Sequence, residues 1–92
     1  MELLDRSDLD MCLTVARLMT ERGHLGQAER IYKTVLHQAE IIDGEGPLTG
    51  LVLLDLHALY EKQGRDDEAA PAWERIRRIL VRGVQLWYDI EP

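Results

Sequence analysis

The chain has little of what several protein classes require. It contains one cysteine, Cys12, so it can form neither an internal disulfide nor a cysteine-based zinc site. Its longest aliphatic run, residues 51–54, is far shorter than the about 20 apolar residues that span a bilayer. The opening residues, MELLDRSDLDM, are acidic where a signal peptide would be basic and then apolar. We therefore expect a cytoplasmic protein with no membrane partner.

Basic residues and strand-like patterns are also scarce. The chain carries 17 acidic and 11 basic side chains, which gives a net charge of −6. Proteins that bind the phosphates of nucleic acids carry a basic excess, so nucleic acid is not an expected partner. Apolar and polar residues never alternate for long, and Ala, Leu, Glu, Arg and Gln dominate the periodic segments. The composition therefore predicts one all-α domain over residues 1–92.

Four segments show the apolar spacing of helices. The first helix is predicted to begin at Ser7, with Asp10 completing a capping box. The helices are predicted over about residues 7–22, 26–43, 47–63 and 66–81. Pro47 suits the first turn of the third helix, and Gly83 predicts a break before a separate tail over residues 82–92. The short turns between these helices predict antiparallel packing.

The two pairs of predicted helices are related by an internal repeat. Gly23 and Gly64 give an offset of 64 − 23 = 41 residues. The same offset matches further residues, in the pairs Leu18/Leu59, Met19/Tyr60, Ala28/Ala69 and Tyr32/Trp73. Glycine permits a tight turn, alanine lets two helices approach closely, and the aromatic fills the gap between neighbouring hairpins. The pattern predicts two helical hairpins, over about residues 8–43 and 47–81, that bury their apolar faces by stacking.

These landmarks resemble the tetratricopeptide repeat family over about residues 9–80. The most specific segment is ALYEKQGRDDEAAPAWERI, residues 58–76. A standard repeat has 34 residues, and the period of 41, with Pro71 two residues after Ala69, is similar to the longer kinesin-light-chain type. The first repeat departs from that pattern, with Arg30 at the matching position. The resemblance implies two antiparallel hairpins, a fragment of a right-handed α-solenoid, followed by a C-terminal capping helix or tail.

In this family the first helix of each hairpin lines a concave protein-binding surface. The resemblance therefore implies a small adaptor or scaffold that binds a partner protein or peptide and self-associates. The matching positions form a predicted groove of Asp10, Leu13, Arg17, Leu51, Leu54, Ala58, Glu61 and Lys62. Leu13, Leu51 and Leu54 would provide an apolar floor for an amphipathic helix or an extended peptide. The alternative is that these leucines pack against the chain's own ends.

Two further surfaces are possible secondary interfaces. One face of the predicted fourth helix carries Arg75, Arg78 and Arg82. A partner's acidic strip could dock there; alternatively, these cations stabilise the helix dipole and Glu74 pairs with Arg78. Trp87 and Tyr88 in the tail either cap the last hairpin or bind a partner, because aromatic residues are favoured at interfaces.

No catalytic, metal or cofactor site is predicted. His24, His37 and His57 are separated by 13 and 20 residues, so none forms an i,i+4 metal-binding pair. The glycines in the DGEG segment do not form a dinucleotide fingerprint, and no nucleophile, histidine and acid can be placed on one face. The functional alternatives are a client-specific chaperone, a regulatory subunit of a larger complex, and an enzyme or ligand-binding domain.

Overall fold

The structure, a computed structural model, describes the backbone of residues 5–90 and the side chains of residues 5–83. The chain forms helices α1 (Arg6–Glu21), α2 (Leu25–Asp43), α3 (Pro47–Lys62) and α4 (Asp66–Ile90). No strand occurs among the described residues, which confirms the predicted all-α class. None of the described helices combines the length and the hydropathy that crossing a bilayer would require.

Helix α1 begins earlier than predicted. Its N-cap is Asp5, whose carboxylate accepts a hydrogen bond from the Asp8 amide at 2.9 Å. The Asp8 carboxylate accepts one in return from the Asp5 amide at 3.3 Å, which completes a capping box. The prediction of a cap at Ser7 and Asp10 was therefore wrong. The spacing alone could not separate the two pairs, because Asp5 and Asp8 are also three residues apart.

The turns α1–α2 and α3–α4 have the same backbone geometry. Gly23 and Gly64 are left-handed, with φ angles of 84° and 69°, a region that residues with a side chain rarely adopt. The amide after each glycine donates to a carbonyl near the end of the preceding helix, in the pairs His24–Met19 (2.8 Å) and Arg65–Tyr60 (2.9 Å). All three kinds of residue in these turns match at the offset of 41 that the sequence shows.

The turn between α2 and α3 is of a different kind. Pro47 is the first residue of α3, as predicted, where its missing amide costs little. The Asp43 carboxylate accepts a hydrogen bond from the Leu48 amide at 2.7 Å, and the Thr49 hydroxyl donates to the Gly44 carbonyl at 2.6 Å. These bonds satisfy part of the start of α3 and hold it beside the end of α2.

Helix α4 is longer than predicted. It begins at Asp66, as expected, but it continues through Gly83 to Ile90, so the predicted break at Gly83 was wrong. A single glycine in a helix costs only about 1 kcal/mol relative to alanine, which does not end a helix by itself. Pro71 is the sixth residue of α4, so its ring removes only the hydrogen bond to the Asp67 carbonyl.

The helices pack in chain order. Helix α1 packs on α2, α2 on α3 and α3 on α4, and α1 also contacts α3. Within residues 5–90, α1 and α4 make no contact. A closed four-helix bundle would bring its first and last helices together, whereas this arrangement is an open row of helices.

Helix α3 lies at the centre of the core and buries two of its faces. One face, formed by Val52, Leu56 and Leu59, belongs to the apolar cluster that contains the buried residues of α1 and α2. The opposite face contributes Leu53 to a smaller cluster with α4 residues such as Ile76. A third strip of α3 is left uncovered, and this strip positions the candidate site.

Candidate protein-binding surface

The uncovered strip of α3 is apolar. Leu51, Leu54 and Ala58 are all exposed, while Val52 and Leu53 beside them are buried. The exposed residues recur at intervals of three and four along the helix, so they share one face. They were predicted as groove residues from the sequence, and the structure brings them together in a single ridge.

An ion pair joins this ridge to α1. The Arg17 Nε donates to Asp55 Oδ2 at 2.8 Å, and Asp55 lies on α3 between Leu54 and the rest of the ridge. This hydrogen bond, with the charge attraction, raises the pKa of the Arg17 guanidinium. Arg17 was a predicted site residue, whereas Asp55 was missed because nothing local in the sequence marks it as a partner 38 residues away.

The charged residues at the margins of the ridge remain near the surface. Asp10, Glu61 and Lys62, all predicted groove residues, are exposed. Glu61 lies 3.2 Å from His57 Nδ1, one turn earlier on α3. The ridge therefore has an apolar centre with acidic and basic groups around it, which is the pattern that complements an amphipathic helix.

Leu13 does not belong to this surface. It was predicted to form part of the apolar floor, but it is buried in the main core cluster together with Leu9 and Ala16 of α1. A buried side chain cannot contact a partner without unfolding the domain around it. The prediction for Leu13 was wrong because helix periodicity gives a residue's face but does not tell which neighbouring helix covers that face.

The three predicted arginines of α4 are separated by their interactions. Arg75 is half-buried and its Nη2 donates to Glu40 at 2.8 Å and to Glu45 at 2.5 Å. Partial burial opposes its charge, but these two hydrogen bonds more than offset that effect and raise the pKa of Arg75. Arg75 therefore ties α4 to the end of α2, and it is not a free interface residue.

Arg78 and Arg82 remain exposed and line a shallow open cleft with Val81. Glu74 pairs with Arg77 at 3.5 Å, not with Arg78, so the expected i,i+4 pair is not formed. Trp87 and Tyr88, the other predicted secondary interface residues, have side chains outside the described ones.

A second ion-pair network ties the two hairpins together near their turns. Arg65 donates to both carboxylate oxygens of Glu29 on α2 and to both of Glu68 on α4. The Arg65 guanidinium also lies 4.8 Å from the ring centre of Tyr60. Hydrogen bonds from Arg65 and then Lys33 lower the pKa of Glu29 from 4.5 to about 2. These contacts hold α2 against the second hairpin.

The described residues contain no cluster suited to a metal ion. No group of three or more histidine, cysteine, aspartate or glutamate side chains comes together within this part of the chain. His57 packs against the Trp73 ring, with 5.4 Å between ring centres, and Cys12 is a half-buried free thiol packed against the core. The feature that distinguishes the described surface is therefore the apolar ridge of α3.

Comparison with known proteins gives no family for this chain. No family model matches the sequence, and neither a curated protein nor a solved structure matches it significantly.

Proposed function

We propose that the chain is a protein–protein interaction module, a small adaptor or scaffold of the tetratricopeptide-repeat type that binds a partner through the α3 ridge. The partner surface that fits the ridge best is an amphipathic helix, whose apolar face would cover Leu51, Leu54 and Ala58. Its polar flanks would meet the charged groups around Arg17 and Lys62.

The repeat interpretation is supported by the geometry of the turns. Two helix–turn–helix units 41 residues apart share left-handed glycines, the same backbone hydrogen bonds and a buried alanine at the start of the second helix. The buried alanines are Ala28 and Ala69. Helices that pack in chain order, with the first and last apart, are what stacked hairpins produce.

The single observation that carries the function is the exposed apolar ridge of α3. A helix packed between two others buries most of its apolar residues, yet Leu51 and Leu54 remain exposed on the strip between those contacts. Exposed apolar side chains that stand singly need no explanation, but a row at helical spacing beside α1 marks an interaction surface.

The ridge can be tested with a peptide selected from a random library for binding to the wild-type chain. The substitution Ala58→Glu places a charge in the ridge, and we expect it to weaken binding of that peptide more than about tenfold. Ala70→Glu is the matched control, since Ala70 is also an exposed helical alanine but lies on α4 away from the ridge.

Two results would contradict the proposal. Equal affinities of the two variants would exclude the ridge as the binding surface. So would amide chemical-shift changes, on addition of the peptide, that fall outside α1 and α3. Circular dichroism of both variants would show that the helices are retained.

A further inference from the structure

Helix α1 carries a second apolar row that the α3 ridge does not include. Met11, Val15 and Leu18 are spaced by four and three residues, and they are 68%, 42% and 48% exposed. They lie on the side of α1 away from the buried Leu9 and Leu13. No described helix covers this row, which is named the N-terminal end face.

The second hairpin shows what covers such a row. Adding the repeat offset of 41 to positions 11, 15 and 18 gives positions 52, 56 and 59 on α3. These residues are Val52, Leu56 and Leu59, which are only 0%, 3% and 1% exposed. They are buried because the first hairpin packs on them, in one cluster with α2 residues that include Val35.

The other end of the helix row shows the reverse difference. Leu54, Trp73 and Leu80 of the second hairpin are 46%, 44% and 57% exposed, and they are named the C-terminal end face. The matching residues of the first hairpin are Leu13, Tyr32 and Ala39, which are 2%, 3% and 0% exposed because the second hairpin packs on them.

We propose that the C-terminal end face of one copy docks on the N-terminal end face of a second copy. This contact would repeat between molecules the packing of α2 on α3 that the chain already makes within itself. Each exposed end face carries the matched positions of one buried side of that internal interface, so the two faces have the apolar character to pair. The contact goes beyond partner binding by the α3 ridge and does not depend on it.

Charge complementarity favours this head-to-tail arrangement. The end of α2 lies beside the start of α3 because a short turn joins them. The same packing between copies places the end of α4 beside the start of α1. The described second half of α4 is basic, with Arg77, Arg78 and Arg82 exposed, and only Arg77 there pairs with an acid, Glu74. The start of α1 is acidic, with Asp5, Asp8 and Asp10 against the single base Arg6.

Head-to-tail contact joins two different faces, so it leaves one free face at each end of the assembly. The assembly can therefore grow with concentration into longer rows or close into a ring. A two-fold dimer would instead use one face twice and stop at two copies. This difference makes the arrangement measurable.

The experiment is sedimentation equilibrium of the full chain from low micromolar to millimolar concentration. Val15→Glu disables the N-terminal end face and Leu80→Glu disables the C-terminal end face, and both residues are exposed, so each variant should keep its helices. We expect wild type to associate progressively and each variant alone to associate more than about tenfold more weakly. Ala58→Glu and Ala70→Glu, outside both end faces, should associate like wild type.

An equimolar mixture of the two end-face variants is the decisive sample. Each variant retains one intact face, and the two intact faces are complementary, so the mixture should form a dimer and nothing larger. The inference is overturned if wild type stays monomeric at millimolar concentration or if the mixture stays monomeric. It is also overturned if either variant alone associates like wild type, which is the result that a two-fold dimer gives. Loss of peptide binding by Ala58→Glu is read separately, so failure of one proposal does not imply failure of the other.

Discussion

The two hairpins of this chain share their turns but differ in which of their faces are covered. Gly23 and Gly64 have the same left-handed backbone and the same neighbouring hydrogen bonds. Yet Leu18 is exposed where its match Leu59 is buried, and Leu13 is buried where its match Leu54 is exposed. Local sequence therefore sets the conformation of each hairpin, whereas its place in the row of helices sets its burial.

The largest expected effect is at the Leu59 and Leu18 pair. Leu59→Ala removes a fully buried side chain, and we expect it to lower the free energy of unfolding by about 2–5 kcal/mol. Leu18→Ala should lower it by less than about 1 kcal/mol, because the side chain is exposed in a single copy. Urea denaturation at low micromolar concentration measures both. Equal losses for the two variants would break the comparison.

The Leu13 and Leu54 pair is expected to show the opposite order. Leu13→Ala should cost about 2–5 kcal/mol of unfolding free energy, and Leu54→Ala less than about 1 kcal/mol. Here the costly substitution lies in the first hairpin, whereas in the Leu59 and Leu18 pair it lies in the second. A general difference in stability between the hairpins cannot produce both orders, so a larger loss for Leu54→Ala would contradict the described packing.

The two turn glycines should respond alike. Gly23→Ala and Gly64→Ala each force a side chain into a left-handed conformation, and we expect each to cost about 1 kcal/mol of unfolding free energy. No atom crowds a β-carbon at either position, so the cost comes from the backbone alone. Thermal unfolding of the two variants measures it. A cost at one glycine and a gain at the other would show that the turns are not equivalent.

The smallest expected effect concerns acid. Glu29 has a folded-state pKa of about 2 against an ordinary value of 4.5, so its ion pairs stabilise the fold fully above 4.5. This contribution is lost as the pH falls from 4.5 towards 2. Its match on the second hairpin is Ala70, which carries no charge, so the acid sensitivity belongs to one hairpin.

We expect Glu29→Gln to be less stable than wild type at neutral pH, with the difference shrinking as the pH approaches about 2. Urea denaturation across that range measures the difference. A difference that stays constant with pH would show that the Glu29 carboxylate is not held in its charged form by Arg65 and Lys33.

The sequence predicted the elements well and their neighbours less well. The glycines at positions 23 and 64, Pro47 and the helical spacing were sufficient for the helices and turns, because these signals act on the adjacent backbone. The end of α4 was missed because Gly83 weakens a helix without stopping it. These errors concern single residues whose effect depends on the rest of the helix.

The candidate site was predicted in part for a related reason. Leu51, Leu54 and Ala58 follow from periodicity, since residues on one helix face recur at fixed spacing. The burial of Leu13, and the ion pairs of Arg17 with Asp55 and of Arg75 with Glu40, depend on which helices meet in space. A sequence that repeats its hairpin does not state where the stack begins and ends, and that position decides which matched residues are free.

The most direct test of this account is the solvent accessibility of individual methyl groups as protein concentration rises. A paramagnetic cosolute relaxes exposed methyls, and NMR can follow each one separately. At tens of micromolar we predict strong relaxation of the end-face methyls and protection of Leu13, Val52, Leu56 and Leu59. At millimolar concentration the methyls of Met11, Val15, Leu18, Leu54 and Leu80 should become protected, while Leu51 on the ridge stays accessible. End-face methyls that remain equally accessible at every concentration would contradict the account.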